Sequence, residues 1–535
     1  MALAIVHSRA LVGSSAPAVT VEVHLANGLP NFQIVGLPDA EVRESRERVR
    51  AALQQSGFQF PTRRITVNLA PADLPKRSSR LDLPIALGIL VASDQLPAGQ
   101  LDRLECVGEL SLSGTLRASG RGVLGIALAN RQDPAGRTLL LPLRDAIEAR
   151  LVQTVLKESN RAPIWGLASL AEAAQVLCGE TPAGAAGLTE DCRLHAPGES
   201  STVERVQADL AGRTNLSDLS DLSDLSDVRG QHAAKRALEI AACGGHALLL
   251  SGPPGTGKSM LAHRLAGLLP PMTDEEALES ATLSSLTGAF NPRRFGQRPF
   301  RSPHHSTTMS ALIGGGNPPR PGEISLAHQG LLFLDELLEW RPKTLDALRE
   351  PLETGLIQLA RADRQAQFQA RFQLVAATNP CPCGFLGTPQ CLCTRERVQG
   401  YRARLSAPLL DRIDLFVHVT AQPSVALLGP PDGETSTTVR LRVTRARQRQ
   451  SQRQGVPNAW LSAQAIDQHC HTTSAAHTLL AQSAQRLDLS GRGLHRVLRV
   501  ARSIADLESH EQLSIEHVAE AISLRIPTAA PMREI

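Results

Sequence analysis

Aromatic side chains are scarce: 535 residues hold eleven Phe, three Trp and one Tyr. A protein that stacks successive bases of a single strand on aromatic platforms needs more, so that mode of nucleic-acid binding is excluded as the main one. Long apolar runs are missing too. The best, Leu83–Ala92, is ten residues, about half of the ~20 that cross a bilayer, and no membrane span is expected. An excess of one charge is absent: 56 Lys+Arg against 52 Asp+Glu leaves +4, too little to mark a generic polyanion binder. Nine cysteines are too few for a disulfide scaffold and odd in number, which points to a reducing compartment. The opening MALAIVHSRALVG has no charged leader before its apolar run and does not read as a secretory signal, so a cytoplasmic location is expected. Lysine is the rarest charged residue, at five of 56 basic positions. Arginine clusters therefore carry little information here, whereas a lysine at a chemically required position carries much.

What remains is an ordinary globular composition, 42% hydrophobic and 20% charged. At roughly 100–200 residues per domain, it is long enough for three or four domains. Residues 1–180 read as mixed α/β: AVTVEVHLA, FQIVGL and RITVNLA alternate as strands do. Asp39–Gln55 has helical periodicity with Asp39 as N-cap, LDLPIALGILVAS is a buried helix, and CVGELSLSGTLRASG is a hairpin turning at Ser113-Gly114. Residues 181–227 read as a linker, polar and rich in Pro and Gly, ending in four LSD units over Leu216–Asp227. A period of three fits neither a strand nor a helix face, so the repeat reads as flexible spacer. Residues 228–437 carry the chemistry. Residues 438–535 read as an all-helical lid.

Gly252-Pro253-Pro254-Gly255-Thr256-Gly257-Lys258-Ser259 matches the phosphate loop GxxxxGK[ST], with strand HALLL before it and helix MLAHRLAGLL after it. Glycines let backbone N–H groups face phosphates at the positive end of a helix. Lys258 adds charge on the β/γ-phosphates, and the Ser259 hydroxyl reaches Mg²⁺. LLFLDE is a buried strand ending in Asp335, expected on Mg²⁺, and Glu336, expected to orient and deprotonate the attacking water. FQLVAATNP ends a further strand in Asn379, placed either to hold water or γ-phosphate or merely to cap the loop. In SAPLLDRIDLFVHV, Arg412 is expected to act across a subunit boundary on the transferring phosphoryl group; pairing with Asp411 or Asp414 is the alternative. Of Arg492, Arg496 and Arg499 in the lid, one is expected to reach nucleotide, with Arg492 preferred.

Cys381, Cys383, Cys391 and Cys393 form two C-x-C pairs. Structural Zn²⁺, reduced free thiols and redox chemistry all stay open, because zinc sites favour wider C-x₂₋₄-C spacing. The remaining cysteines (Cys106, Cys178, Cys192, Cys243, Cys470) read as small buried hydrophobes. His304-His305 lacks further ligands nearby and reads as a loop or DNA-facing pair. The six arginines of VRLRVTRARQRQSQR read as a solvated helix face.

These residues together resemble the YifB/ComM family of bacterial magnesium-chelatase-like AAA+ proteins. The likeness runs through MALAIVHSRALVG, NFQIVGLPDAEVRESRERVRAAL, GQHAAKRALEIAACGGHALLLSGPPGTGKSMLA, RPFRSPHHSTTMSALIGGG, AATNPCPCG and APLLDRIDL. The resemblance implies an α/β protein with three parts: a Lon/S5-like α+β N-terminal domain, an AAA+ core with a parallel sheet, and a helical lid. It implies a homo-oligomer, usually a hexamer, using ATP and Mg²⁺, with an insertion near Phe300–Gly322 and a hairpin near Gly355–Phe372. Arg361, Arg364 and Arg371 of that hairpin would contact DNA phosphates. In the N-terminal domain Asp82 and Val123 stand where Lon-type proteases carry serine and lysine, so peptidase activity is not expected. The function implied is a DNA motor acting on single-stranded or branched DNA, as a helicase in branch migration during transformation or recombination. A metal-chelatase motor subunit and a nucleotide-gated scaffold are the alternatives.

Overall fold

The computed structural model describes residues 3–74, 76, 79–156, 163–180, 224–316, 319–361, 364–423, 428–430 and 433–525; most of the expected linker, with Cys192, lies outside them. The described residues form two units. One holds those up to 180 together with Ala281–Phe295; the other holds the rest. Among the described residues no helix is long and apolar enough to cross a membrane.

The first unit is built on a mixed sheet. Its strands are β1 (Leu3–Arg9), β2 (Ala18–Ala26), β3 (Asn31–Val35), β4 (Arg64–Ala70) and β5 (Leu104–Cys106), with a small hairpin β6 (Glu109–Leu110) and β7 (Leu116–Arg117). They are followed by β8 (Thr138–Pro142) and β9 (Ile164–Leu167). The sheet order is β3-β4-β2-β1-β5-β8-β9. The chain's first segment is therefore a central strand, antiparallel to β2 and parallel to β5. Asp39 caps the helix Ala40–Gln55 by accepting from Val42 N–H at 3.1 Å. Every residue of the helix Asp82–Ala92 is buried. Each Leu or Ile there contributes about 1.5–3 kcal/mol by leaving water, which is why the run shows no polar face.

Asp82 is fully buried and tied to Arg48 at 2.8 Å, and it also accepts the Leu110 N–H. Burial alone pushes its carboxyl pKa up, and the hydrogen bonds from Arg48 and Ser45 offset only part of that. Val123 opens the helix Val123–Gln132.

The second unit carries a five-stranded sheet of β10 (Leu248–Ser251), β11 (Phe300–Arg301), β14 (Leu331–Leu334), β17 (Gln373–Thr378) and β18 (Leu415–His418). Two hairpins accompany it: β12 (Gly314–Gly315) with β13 (Arg320–Pro321), and β15 (Leu356–Arg361) with β16 (Arg364–Gln369). The order is β11-β14-β17-β10-β18, all parallel. Phe300 and Arg301, expected to open an insertion, are instead the edge strand of this sheet. Their register against Leu331 and Leu332 fixes them there.

The region expected to form a helical lid carries helices Ser436–Gln454, Ala463–His469, Ser474–Arg486, Gly491–Glu508 and Ile515–Arg525. Of the six arginines of the first of these, Arg445 is exposed as a solvated face requires, but the other five make hydrogen bonds to the protein. Arg440 donates to Gly267 O, Arg447 to Ala242 O, Arg449 to Asp506 O, Arg442 to Glu239 and Glu434, and Arg453 to Asp506. Long guanidinium side chains reach the free carbonyls at helix ends, a use that composition does not disclose.

The last LSD unit is likewise not spacer. Leu225–Asp227 forms a short 3₁₀ turn capped by Asp224, with Leu225 buried in the second unit's core. Asp224 also accepts from Ser436 N–H, and Arg264 donates to its carbonyl. One leucine suffices when a cavity and a helix N-terminus receive the turn.

Candidate functional site

Parallel strands β14, β17 and β10 end side by side, the position where open α/β sheets receive ligands. From β10 the chain enters the loop Gly252–Gly257, where Gly255 and Gly257 have φ of +75° and +88°. Side chains rarely adopt those angles, so glycine is required for the loop to curl before the helix Lys258–Leu268 begins. Thr256 Oγ1 donates to Pro253 O at 2.9 Å and stiffens the curl. The Lys258 ammonium has three donors and three acceptors around it: Gly252 O and Pro253 O, each at 2.8 Å, and Asn379 Oδ1 at 3.2 Å. Burial lowers its pKa, partly countered by the charge of Asp335.

Ser259 Oγ donates to Asp335 Oδ2 at 2.7 Å. A hydroxyl and a carboxylate converging at this spacing are the hard oxygen donors that Mg²⁺ takes alongside water and phosphate. The other Asp335 oxygen accepts Glu336 N–H at 2.8 Å, and Trp340 Nε1 donates to the Asp335 carbonyl at 3.1 Å. Trp340 is buried with Leu337 and Leu345, so an apolar anchor holds the acidic strand end. Glu336 is in the left-handed region at φ +48°, with its side chain 55% exposed.

His305 Nδ1 lies 3.3 Å from Glu336 Oε2, and its ring stacks on His304 at 4.0 Å between centroids. The histidine pair therefore faces the acid expected to activate water, a partner that spacing in the sequence did not indicate.

Arg412 and the lid arginines are elsewhere. They line a cavity of about 400 Å³ with Glu353, Asp414 and Trp460, to which no phosphate-loop residue contributes. Arg412 donates to Arg349 O at 3.1 Å, to Pro408 O at 2.7 Å, and to Glu353. Its carboxylate partner is thus neither Asp411 nor Asp414. Asp411 meets Arg525 at 3.2 Å, while Asp414 meets Arg496 at 2.6 Å and His246 at 3.2 Å. Burial alone would raise the Asp414 pKa, but Arg496 and His246 together outweigh it and hold the group far below the usual carboxylate range. Arg499 donates to Leu461 O. Of the three lid candidates only Arg492 projects freely, 71% exposed and 3.9 Å from Glu353.

The four clustered cysteines follow Asn379. Their sulfurs all lie within 4.8 Å of one another, and the Phe385 N–H with neighbouring thiols pulls the Cys383 thiol down to about 6. Of the scattered cysteines, Cys106, Cys243 and Cys470 are buried and Cys178 is exposed.

In the hairpin, Arg361 and Arg364 are backbone register partners at the last paired position of β15 and β16. Arg371 lies beyond the hairpin's end instead, with its guanidinium 5.9 Å from the Trp460 ring centroid, and is not a tip residue.

Three family models match in sequence: subunit ChlI of magnesium chelatase over residues 21–145, the magnesium chelatase subunit ChlI core over 224–427, and the ChlI C-terminal region over 433–525. YifB of Salmonella typhimurium, itself uncharacterized, is 45% identical, covering 98% of this chain and 97% of that protein. Competence protein ComM of Haemophilus influenzae is 46% identical over 98% of both chains. The chain belongs to the YifB/ComM family of magnesium-chelatase-like proteins. A local match to DNA replication licensing factor Mcm6 of Drosophila melanogaster is 30% identical over 95 residues, 18% of this chain and 11% of that protein. Membership of this AAA+ family accords with the parallel sheet and its phosphate loop, and implies the use of ATP and Mg²⁺. The core match begins at residue 224, where the capped 3₁₀ turn also begins.

Proposed function

We propose that the protein is a ring-forming ATPase motor that moves DNA, acting as a helicase on single-stranded or branched substrates during transformation or recombination. The observation that carries the reading is a division of labour. Lys258, Ser259, Asp335, Glu336 and Asn379 gather at one set of strand ends. Arg412 and Arg492 converge on Glu353 at another place. A nucleotide held by the first set is completed by the second only from a neighbouring copy, so a closed ring, a hexamer in this reading, is the natural assembly.

In this mechanism the phosphate loop positions the triphosphate, and Lys258 leaves its loop carbonyls for the β/γ-phosphates. Ser259 and Asp335 would hold Mg²⁺, whose charge would offset that building on the phosphates. Glu336, released from His305, takes the proton of the attacking water, while Asn379 orients that water or the γ-phosphate. Arg412 of the neighbour, with Arg492 beside it, stabilises the transferring group. The hairpin tip, with Arg361 and Arg364, contacts DNA phosphates without reading sequence, which makes binding salt-sensitive. The competence name of one relative and the local likeness to a replication licensing factor support DNA as the polymer.

The family's description keeps a metal-chelatase subunit as the competing reading. ATPase rates of the pure protein with and without forked DNA separate the two. Stimulation together with strand displacement that needs hydrolysable ATP supports the motor; a rate indifferent to every DNA, with no displacement, refutes it.

A further inference from the structure

Four sulfurs from two short segments meet beside the phosphate loop. The separations are 3.4 Å for Cys381–Cys383, 3.9 Å for Cys381–Cys391 and 3.7 Å for Cys383–Cys391, and Cys393 joins them within 4.8 Å. Thiolates bound at about 2.3 Å to one tetrahedral ion stand about 3.8 Å apart, so the cluster has the dimensions of a single four-coordinate site. An iron–sulfur cluster spreads its four cysteines over two or four irons and needs the sets farther apart. All-thiolate tetrahedral sites select zinc among the common divalent ions.

We infer that Cys381, Cys383, Cys391 and Cys393 bind one structural zinc ion, and that this ion fastens Asn379 to the phosphate loop. The tight C-x-C spacing, which counts against zinc in sequence, is reconciled by the backbone. Gly384, at φ +85°, turns the first pair, with its N–H on Cys381 O at 2.9 Å. A second turn from Phe385 O to Thr388 N–H, then Thr388 O to Cys391 N–H, carries the chain back. Thr394, just past the second pair, caps the helix Arg395–Arg402. Each pair thus has its own frame, and neither has to bend around the metal alone.

Two contacts link this knot to the nucleotide site. Cys381 is two residues after Asn379, whose amide oxygen accepts from Lys258. Gly384 packs so closely on the loop that a Cβ there would sit 2.5 Å from Pro254 Cδ. The metal site stands independently of the motor reading; only its coupling to hydrolysis rests on it.

The test uses the full chain purified without chelator. Elemental analysis is expected to give one zinc per chain, and replacement by Co²⁺ to give the visible bands of tetrahedral cobalt with thiolate charge transfer. The double variant Cys391→Ser/Cys393→Ser should lose the metal, and turnover should fall at least about tenfold, since misplacing a reacting group by 1 Å costs up to about 10²-fold. As a control against misfolding of that variant, wild-type protein stripped with a mercurial reagent and reloaded with Zn²⁺ should lose and regain turnover in parallel with metal. Far less than one zinc per chain, with four thiols titrating freely in the native protein, or iron in place of zinc, overturns the site. Zinc present but removable without change in nucleotide affinity or turnover overturns the coupling. Zinc present in a chain inert toward ATP leaves the site standing and defeats the motor reading instead.

Discussion

Replacing Arg496 by Ala separates scaffold from catalysis in the lid. Arg496 Nη1 donates to Asp414 Oδ1 at 2.6 Å and to Arg412 O at 3.1 Å, and the Asp414 side chain is only 5% exposed. Removing the guanidinium leaves that carboxylate buried with His246 and the Ala247 N–H. Breaking one side of such a pair costs about 3–5 kcal/mol. At roughly 2–4 °C per kcal/mol for a domain of ~200 residues, the midpoint of thermal unfolding should drop by about 6 °C or more. In the wild type, Asp414 has a depressed pKa, so its contribution is fully present above the ordinary Asp value and is lost as pH falls through the depressed one. In the variant the Arg496 charge is gone while His246 and the Ala247 N–H remain, so the Asp414 pKa rises from its depressed wild-type position. The stability gap between the two proteins should therefore narrow as pH falls through the ordinary Asp range toward the depressed wild-type value. Arg492→Ala, by contrast, removes an exposed group. It should leave the melting midpoint within about 2 °C while slowing turnover by about 10–10²-fold, the value of one charge-assisted hydrogen bond. Thermal melts by circular dichroism and steady-state ATPase assays on both variants decide the matter. An Arg496→Ala protein with wild-type melting and a turnover loss equal to that of Arg492→Ala would refute the assignment.

Glu336→Gln should retain nucleotide in equilibrium dialysis while turnover falls by about 10²–10⁴-fold, the worth of a general base; substantial residual hydrolysis contradicts the role. His305→Ala frees Glu336 from its 3.3 Å partner and should raise ATPase without DNA severalfold, narrowing the stimulation by DNA; an unchanged ratio means that the histidine does not restrain the acid. Arg361→Ala with Arg364→Ala should weaken DNA binding uniformly across sequences and reduce its salt slope, as fluorescence anisotropy at several salt concentrations will read. Arg48→Ala strands the buried Asp82 and should destabilise the first unit by about 3–5 kcal/mol, measured by denaturant unfolding, with no peptidase activity gained or lost.

The nucleotide cluster was readable because its chemistry is contiguous. A loop that wraps phosphates must be spelled out residue by residue, and an acid at a strand's end is marked by the apolar run before it. Helices Ala40–Gln55 and Asp82–Ala92 were readable for similar reasons, one from its cap and periodicity, the other from unbroken burial. Strands β5, β8 and β9 were not, because LEC, TLLLP and IWGL are buried on both faces and show no alternation. Which acid an arginine meets is settled by packing between distant segments. Arg412 finds Glu353 and Arg496 finds Asp414, 59 and 82 residues away, and no spacing rule reaches that far. The docking of Leu225 escaped for the opposite reason: four identical units differ only in what lies next to them in space.

The β15–β16 hairpin runs directly into β17, the middle strand of the five, which ends at Thr378, just before Asn379. Its base is fastened by Ala370 N–H to Gly355 O at 2.8 Å, and the strand that follows by Gln373 N–H to Gly330 O at 2.9 Å. The hairpin tip and the amide facing Lys258 are thus the two ends of one short run of chain. In the proposed motor, a load applied at the tip would pass along the backbone itself to the nucleotide site, with no relay of side chains.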